Sequence, residues 1–131
     1  MKAKICVVIS TYNSEITKGL CDSARKELEK SGIKKVDIVR VPGSFEIPVA
    51  ISKLVKKYDG FIAIGCIIKG KTANFDLISN AITNGILQLS ISQKKPIGNS
   101  IITLFNKDQA RERFDRGKEA ARAVLEILKI K

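Results

Sequence analysis

A chain of 131 residues, 44% hydrophobic and 28% charged, is long enough to bury a core without disulfide or metal staples and too short for two ordinary domains. Its three cysteines, Cys6, Cys21 and Cys66, are odd in number and form no CxxC pair, so they fit neither a disulfide framework nor a zinc site and point to a reducing, cytoplasmic setting. The formal charge of +11 comes with only two Tyr, five Phe and no Trp, without the interleaved aromatics of a single-strand binder; nucleic acid is not the expected partner, and the lysines read as solvated surface.

Residues 4–9 (KICVVI) form a continuous, largely β-branched run, as a strand buried on both faces does. The apolar part is too short for a signal-peptide core or a membrane span. Ser14 opens a helical stretch with Ile16, Leu20, Ala24 and Leu28 at every fourth position, closed by Lys30 and Gly32. Residues 36–41 read as a second strand. After Pro42-Gly43, Ser44 is placed to cap a helix carrying Ile47, Ala50, Ile51 and Leu54. Residues 60–68 (GFIAIGCII) are the third strand, and 75 to about 92 a helix weakened by Gly85. Pro96 leads into a fourth strand at about 100–105, and 107–129 reads as one helix interrupted by Gly117.

Strict β-α alternation predicts an α/β fold: a single domain over residues 1–131, with a four-stranded parallel sheet and helices on both faces, a flavodoxin-like three-layer α/β/α arrangement. Ligands of such sheets sit outside the carboxyl ends of the strands. Residues 10–13 (STYN), 42–46 (PGSFE), 69–74 (KGKTAN) and 104–106 collect there.

Residues 65–72, GCIIKGKT, satisfy the phosphate-loop pattern G-x-x-x-x-G-K-[ST] letter for letter. A true loop must turn so that successive N–H groups curl around the anion. Here Cys66, Ile67 and Ile68 continue the strand instead, and none of the other strands ends in the Asp that would hold magnesium. The nucleotide-hydrolysing reading is rejected. What survives is the helix start after GKTAN, where free N–H groups, the helix dipole and Lys71 favour an anion.

Four segments read together resemble the lumazine synthase family: TYN (11–13), VPGSFEIPVA (41–50), GCIIKGKTANFD (65–76) and QARERFDRGKEAA (109–121). Their order and spacing span nearly the whole chain, and the compact last segment is closer to the short archaeal form. The resemblance implies condensation of 5-amino-6-(ribitylamino)uracil with 3,4-dihydroxy-2-butanone 4-phosphate to 6,7-dimethyl-8-ribityllumazine, in riboflavin biosynthesis. It implies no metal or other cofactor, two small-molecule substrates, and a homo-oligomer, a pentamer or multiple of pentamers, with each site between neighbours.

By that resemblance Tyr12 stacks on the pyrimidine, and Ser44, Phe45 and Glu46 hold the ribityl chain, a carboxylate being able to accept two hydroxyl hydrogen bonds. Glu46 has the alternative of merely favouring its helix N-terminus. Cys66, Ile67 and Ile68 offer backbone to the uracil edge. Lys71 and Thr72 form the phosphate turn, and Arg113 reaches it from the neighbour, where a guanidinium fork grips phosphate at two points. Arg116 keeps the charge where many members have lysine. Two positions depart from the pattern. Asn74 stands where the family has a histidine, and the chain has no histidine at all. Asn can position groups but not titrate near neutrality, and it is equally a favoured helix cap. Asn99 stands where many members have a Phe over the pyrimidine. These departures motivate the alternative of a non-catalytic lumazine or flavin binder, or a shell-forming relative.

Overall fold

The computed structural model describes residues 2–70 and 74–131. Four strands, β1 (Lys4–Ser10), β2 (Lys35–Val41), β3 (Gly60–Ile68) and β4 (Ile97–Leu104), alternate with four helices, α1 (Ser14–Lys30), α2 (Ile47–Leu54), α3 (Asn74–Gln93) and α4 (Asp115–Leu128). All strand pairs are parallel, in the order β2-β1-β3-β4. The α/β fold with helices on both faces is therefore as the alternation predicts.

Period-two alternation in the central strands divides the core. Ile5, Val7, Ile62, Ile64 and Ile102 pack against Leu20, Ala24 and Leu28 of α1 and Ala121 and Val124 of α4. On the opposite face Cys6, Val8, Phe61 and Ala63 meet Ile47 and Ile51 of α2 and Ile82 and Ile86 of α3. All three thiols are free and buried. Among the described residues no helix is long and apolar enough to cross a membrane.

Three expectations need correction. Ser44 does not cap a helix: residues Ser44–Glu46 form a 3-10 turn capped by Gly43, and α2 begins only at Ile47, with Pro48 in its first turn. The fourth strand starts earlier than predicted, at Ile97, which pairs with Phe61. Gly98 and Asn99 are poor strand formers and hide that start, yet Gly98 is needed there, because a Cβ would lie 2.5 Å from the Ala120 carbonyl oxygen of α4.

The predicted helix over 107–129 is two 3-10 turns, Lys107–Gln109 and Arg111–Arg113, followed by α4. Asn106 Oδ1 accepts from Asp108 N–H at 3.0 Å and Gln109 Oε1 accepts from Phe105 N–H at 2.8 Å, a reciprocal cap that draws the chain into a tight turn. Gly117 does not interrupt α4. It is the point where α4 crosses α1, and any Cβ there would strike the Leu20 carbonyl.

Candidate active site

At the carboxyl edge of the sheet the strands end unevenly. β3 pairs with β1 only as far as Ile9↔Ile64, but with β4 as far as Ile68↔Leu104. Residues 65–68 therefore present a stretch of β3 backbone that β1 does not cover. Two loops flank this notch and are tied together: Thr11 N–H donates to the Val41 carbonyl at 2.8 Å, and Tyr12 N–H to that of Pro42 at 3.1 Å. Asn13, in the left-handed region at φ 59°, ψ 46°, turns the chain into α1. Its Nδ2 donates to the Cys66 carbonyl at 3.4 Å.

That bond shows that the Cys66 backbone faces the notch. Alternation along the strand turns the N–H and C=O of Ile68 the same way and those of Ile67 toward β4. The Cys66 side chain is buried, and burial pushes its thiol up to about 11, so it is no nucleophile near neutrality. Of the three residues expected to offer backbone, Cys66 and Ile68 are turned to the open side.

The Ser44–Glu46 turn closes over the notch from the α2 and α3 side. Ser44 Oγ rests directly on Gly65, where a Cβ would collide with it, so the first glycine of the pseudo-phosphate-loop serves as a seat for this serine. Glu46 Oε1 accepts from Gly43 N–H at 2.9 Å, which holds the turn and commits one carboxylate oxygen locally. The helix-terminus alternative for Glu46 is thus present, and it sits at the mouth of the same notch. Phe45 and Tyr12 project outward, 63% and 72% exposed. Both rings are available to a ligand or a neighbouring molecule.

Lys71 and Thr72 lie outside the described residues. Asn74 is the first residue of α3, and Asp76 lies in its first turn. Sequence reasoning missed the aromatic pair beside it, Phe75 and Phe105, with centroids 6.5 Å apart and planes at 27°. It also missed Lys69, whose Nζ lies 5.4 Å from the Phe105 centroid. The only signal was an aromatic residue left over at a strand end, and it was absorbed into the predicted strand.

Three expected residues are not brought to this notch. The Arg111–Arg113 turn packs against α1, on the other face of the sheet from Ser44–Glu46. Arg116 pairs with Glu119 one turn along α4, Nε to Oε2 at 3.4 Å. Asn99 lies in edge strand β4, about 16 Å back from its carboxyl end at 3.3 Å per residue. Its Oδ1 accepts from Ile101 N–H at 3.0 Å. Within one chain these groups and the notch are separate.

A profile of the 6,7-dimethyl-8-ribityllumazine synthase family matches residues 2–131. Proteins of that name from Leuconostoc mesenteroides and Methylibium petroleiphilum are 38% and 37% identical, each over 97% of this chain and over 87% and 82% of their own length. One from Cutibacterium acnes is 38% identical over 95% of this chain and 80% of its own. The chain belongs to the lumazine synthase family.

Its match to lumazine synthase runs from β1 through α4, so the family pattern covers every loop that borders the notch. A lumazine synthase without histidine must manage proton transfers with other groups. Among the described residues, the Glu46 carboxylate belongs to the turn that closes over the notch, and Asn74 begins α3, which packs against that turn.

Proposed function

We propose that the protein condenses 5-amino-6-(ribitylamino)uracil with 3,4-dihydroxy-2-butanone 4-phosphate to form 6,7-dimethyl-8-ribityllumazine, in riboflavin biosynthesis, without a cofactor. The observation that carries this reading is the family match over residues 2–131, which includes all the loops at the carboxyl edge of the sheet. The amine of the pyrimidine adds to the ketone and water leaves as the imine forms. Phosphate is then eliminated, and the ring closes with loss of a second water.

In this reading the Cys66 and Ile68 backbone meets the uracil edge, Tyr12 covers one face, and Ser44, Phe45 and the remaining oxygen of Glu46 take the ribityl hydroxyls. Lys71 and Thr72 grip the phosphate with the partner subunit's Arg113. The partner's Asn99 and the partner's Arg116 border the site. Asn74 orients the reactants by hydrogen bonding. A positioned acid–base group is worth roughly 10²- to 10⁴-fold in rate, so its loss slows the reaction without removing the contribution of orientation and phosphate binding.

A homo-oligomer, a pentamer or a multiple of pentamers, follows from the same reading, and α3 supports it. This 20-residue helix buries Ile82 and Ile86 yet exposes Leu77, Ile78, Leu87 and Ile91. A helix apolar on more than one face has more to cover than its own sheet provides. Three buried free thiols fit a reducing, cytoplasmic location.

The deciding experiment mixes the two substrates with and without protein and follows the lumazine chromophore. Faster formation with protein is expected; equal rates would end the synthase reading. The absent histidine favours a second reading, a non-catalytic lumazine or flavin binder. Tight binding of the lumazine product or riboflavin without turnover would select it.

A further inference from the structure

Gly65, which opens GCIIKGKT, lies inside β3 and pairs with Ile101 of β4. It is the first residue of β3 beyond the pairing with β1, which ends at Ile9↔Ile64. Its φ is not in the left-handed region, so the backbone itself would accept a side chain. Space is what forbids one. Alternation turns Gly65 to the face of Phe61 and Ala63, toward the Ser44–Glu46 turn. A Cβ would collide with Ser44 Oγ and lie 3.2 Å from Ser44 Cβ and 3.4 Å from Ile47 Cδ1. The turn is held as one piece. Glu46 N–H donates to the Gly43 carbonyl at 3.2 Å, Gly43 N–H donates to Glu46 Oε1 at 2.9 Å, and Ile47 behind them is fully buried. A push on Ser44 is therefore carried to Phe45 and Glu46.

We propose that Gly65 is a positioning residue that sets the spacing between two subsites for one substrate. One subsite is the β3 backbone at Cys66 and Ile68, directly beyond Gly65; the other is the Ser44–Glu46 turn, which rests on it. The proposal rests on the reading in which that backbone meets the uracil edge and that turn takes the ribityl hydroxyls. Ring and chain are parts of one molecule, so both sets of hydrogen bonds form together only when the subsites stand at the right separation. A side chain at position 65 lifts the turn and stretches that separation. Hydrogen bonds weaken steeply with distance and angle, so a small displacement is enough.

The test is calorimetric titration of the full-length protein with 6,7-dimethyl-8-ribityllumazine and with 6,7,8-trimethyllumazine, which carries a methyl group in place of the ribityl chain. Neither titration needs turnover. Gly65→Ala is expected to bind the ribityl ligand about 10-fold more weakly, the size of one or two lost hydrogen bonds. It should bind the trimethyl ligand as the wild type does. Ser44→Gly takes away both Ser44 atoms that the new Cβ would meet. The double variant should therefore bind the ribityl ligand as tightly as Ser44→Gly alone. Should Gly65→Ala by itself fail to fold, the double variant carries the test: folding and binding equal to Ser44→Gly support the spacing, and failure to fold opposes it. The proposal is overturned if Gly65→Ala binds the ribityl ligand like the wild type, weakens both ligands equally, or keeps its penalty in the Ser44→Gly background. The expected pattern in a protein with no turnover would sustain the spacing and end the synthase reading. A wild-type protein that binds neither ligand would remove the reading of the site and the proposal together.

Discussion

The two helical layers of this protein are built differently. On one face α1 and α4 cross so closely that their backbones touch, with Gly117 against the Leu20 carbonyl and Phe114 seated on Gly19. Of their apolar residues, Leu20, Ala24, Leu28, Ala121 and Val124 are essentially fully buried, while Ile127 near the end of α4 is half exposed. On the other face α2 and α3 cover the sheet but leave Val49, Leu77, Leu87 and Ile91 in solvent. A groove of 420 Å³ runs between them, lined by Phe45, Pro48, Val49, Ala81, Ile82 and Gly85. The first layer is complete within one chain and acts as a scaffold. The second has its apolar surface and half of the proposed site turned outward. A 640 Å³ cleft at the far end of the sheet, bordered by Lys94, Pro96, Ile97 and Ile127, is larger, but none of the expected substrate-binding residues lines it.

The largest effect should come from breaking the complete layer. Gly117→Val forces two branches into the Leu20 backbone, and overpacking of this kind costs about 3 kcal/mol. The expected outcome is a marked fall in the urea midpoint, whereas the same change at Gly85, where a Cβ would make ordinary contact with Pro48 at 3.7 Å, costs less. Equal losses at the two glycines would erase the distinction between the layers.

Next in size is a test of the site they share. Arg113→Ala and Glu46→Ala should each lower turnover by about 10²-fold, the order seen when a preorganised charged contact to the reacting groups is lost. Because the arginine turn and the Ser44–Glu46 turn lie on opposite faces of one chain, co-assembling the two variants should restore activity that neither has alone. No recovery on mixing would place both residues in one chain's site.

A smaller effect on folding is expected from Leu87→Lys combined with Ile91→Lys. Exposed substitutions usually change stability by no more than about 0.5 kcal/mol each, so the subunit should stay folded while light scattering reports disassembly. An unaltered particle size would mean that this face of α3 stays in solvent. The smallest effect is a null one. With no imidazole in the chain, turnover should cross the region of an ordinary histidine, about pH 6.5, without a transition. A clear midpoint there would mark another group tuned to that range.

Much of the fold was legible because each element carries its own period. The β-branched run at β1 and the four-residue spacing in α1 needed no tertiary information, and the predicted bounds of β3 match the observed strand. The failures share a cause. Gly117 and Ser44 were read by local propensity, as helix breaker and helix cap, and Gly98 falls outside the predicted fourth strand. Each is instead fitted to a neighbour distant in sequence: the Leu20 carbonyl, Gly65 and the Ala120 carbonyl. For the site, the motifs pointed to the carboxyl edge of the sheet, where the notch over residues 65–68 lies. The ring of Phe105 went unread because nothing in its local pattern announces Lys69 or Phe75 as a partner.

The order of elements, the parallel sheet, the carboxyl-edge location of the polar loops and the family pattern follow from the sequence alone, since alternation and spacing are properties of neighbouring residues. The notch over residues 65–68, the choice of which backbone groups face it, the contacts of Phe105 with Phe75 and Lys69 and the contrast between the two helical layers were decided only in three dimensions. They depend on how far β3 outruns β1 and how closely α4 approaches α1. Strand register and helix crossing distance are set by contacts between segments far apart in the chain, which no local period encodes.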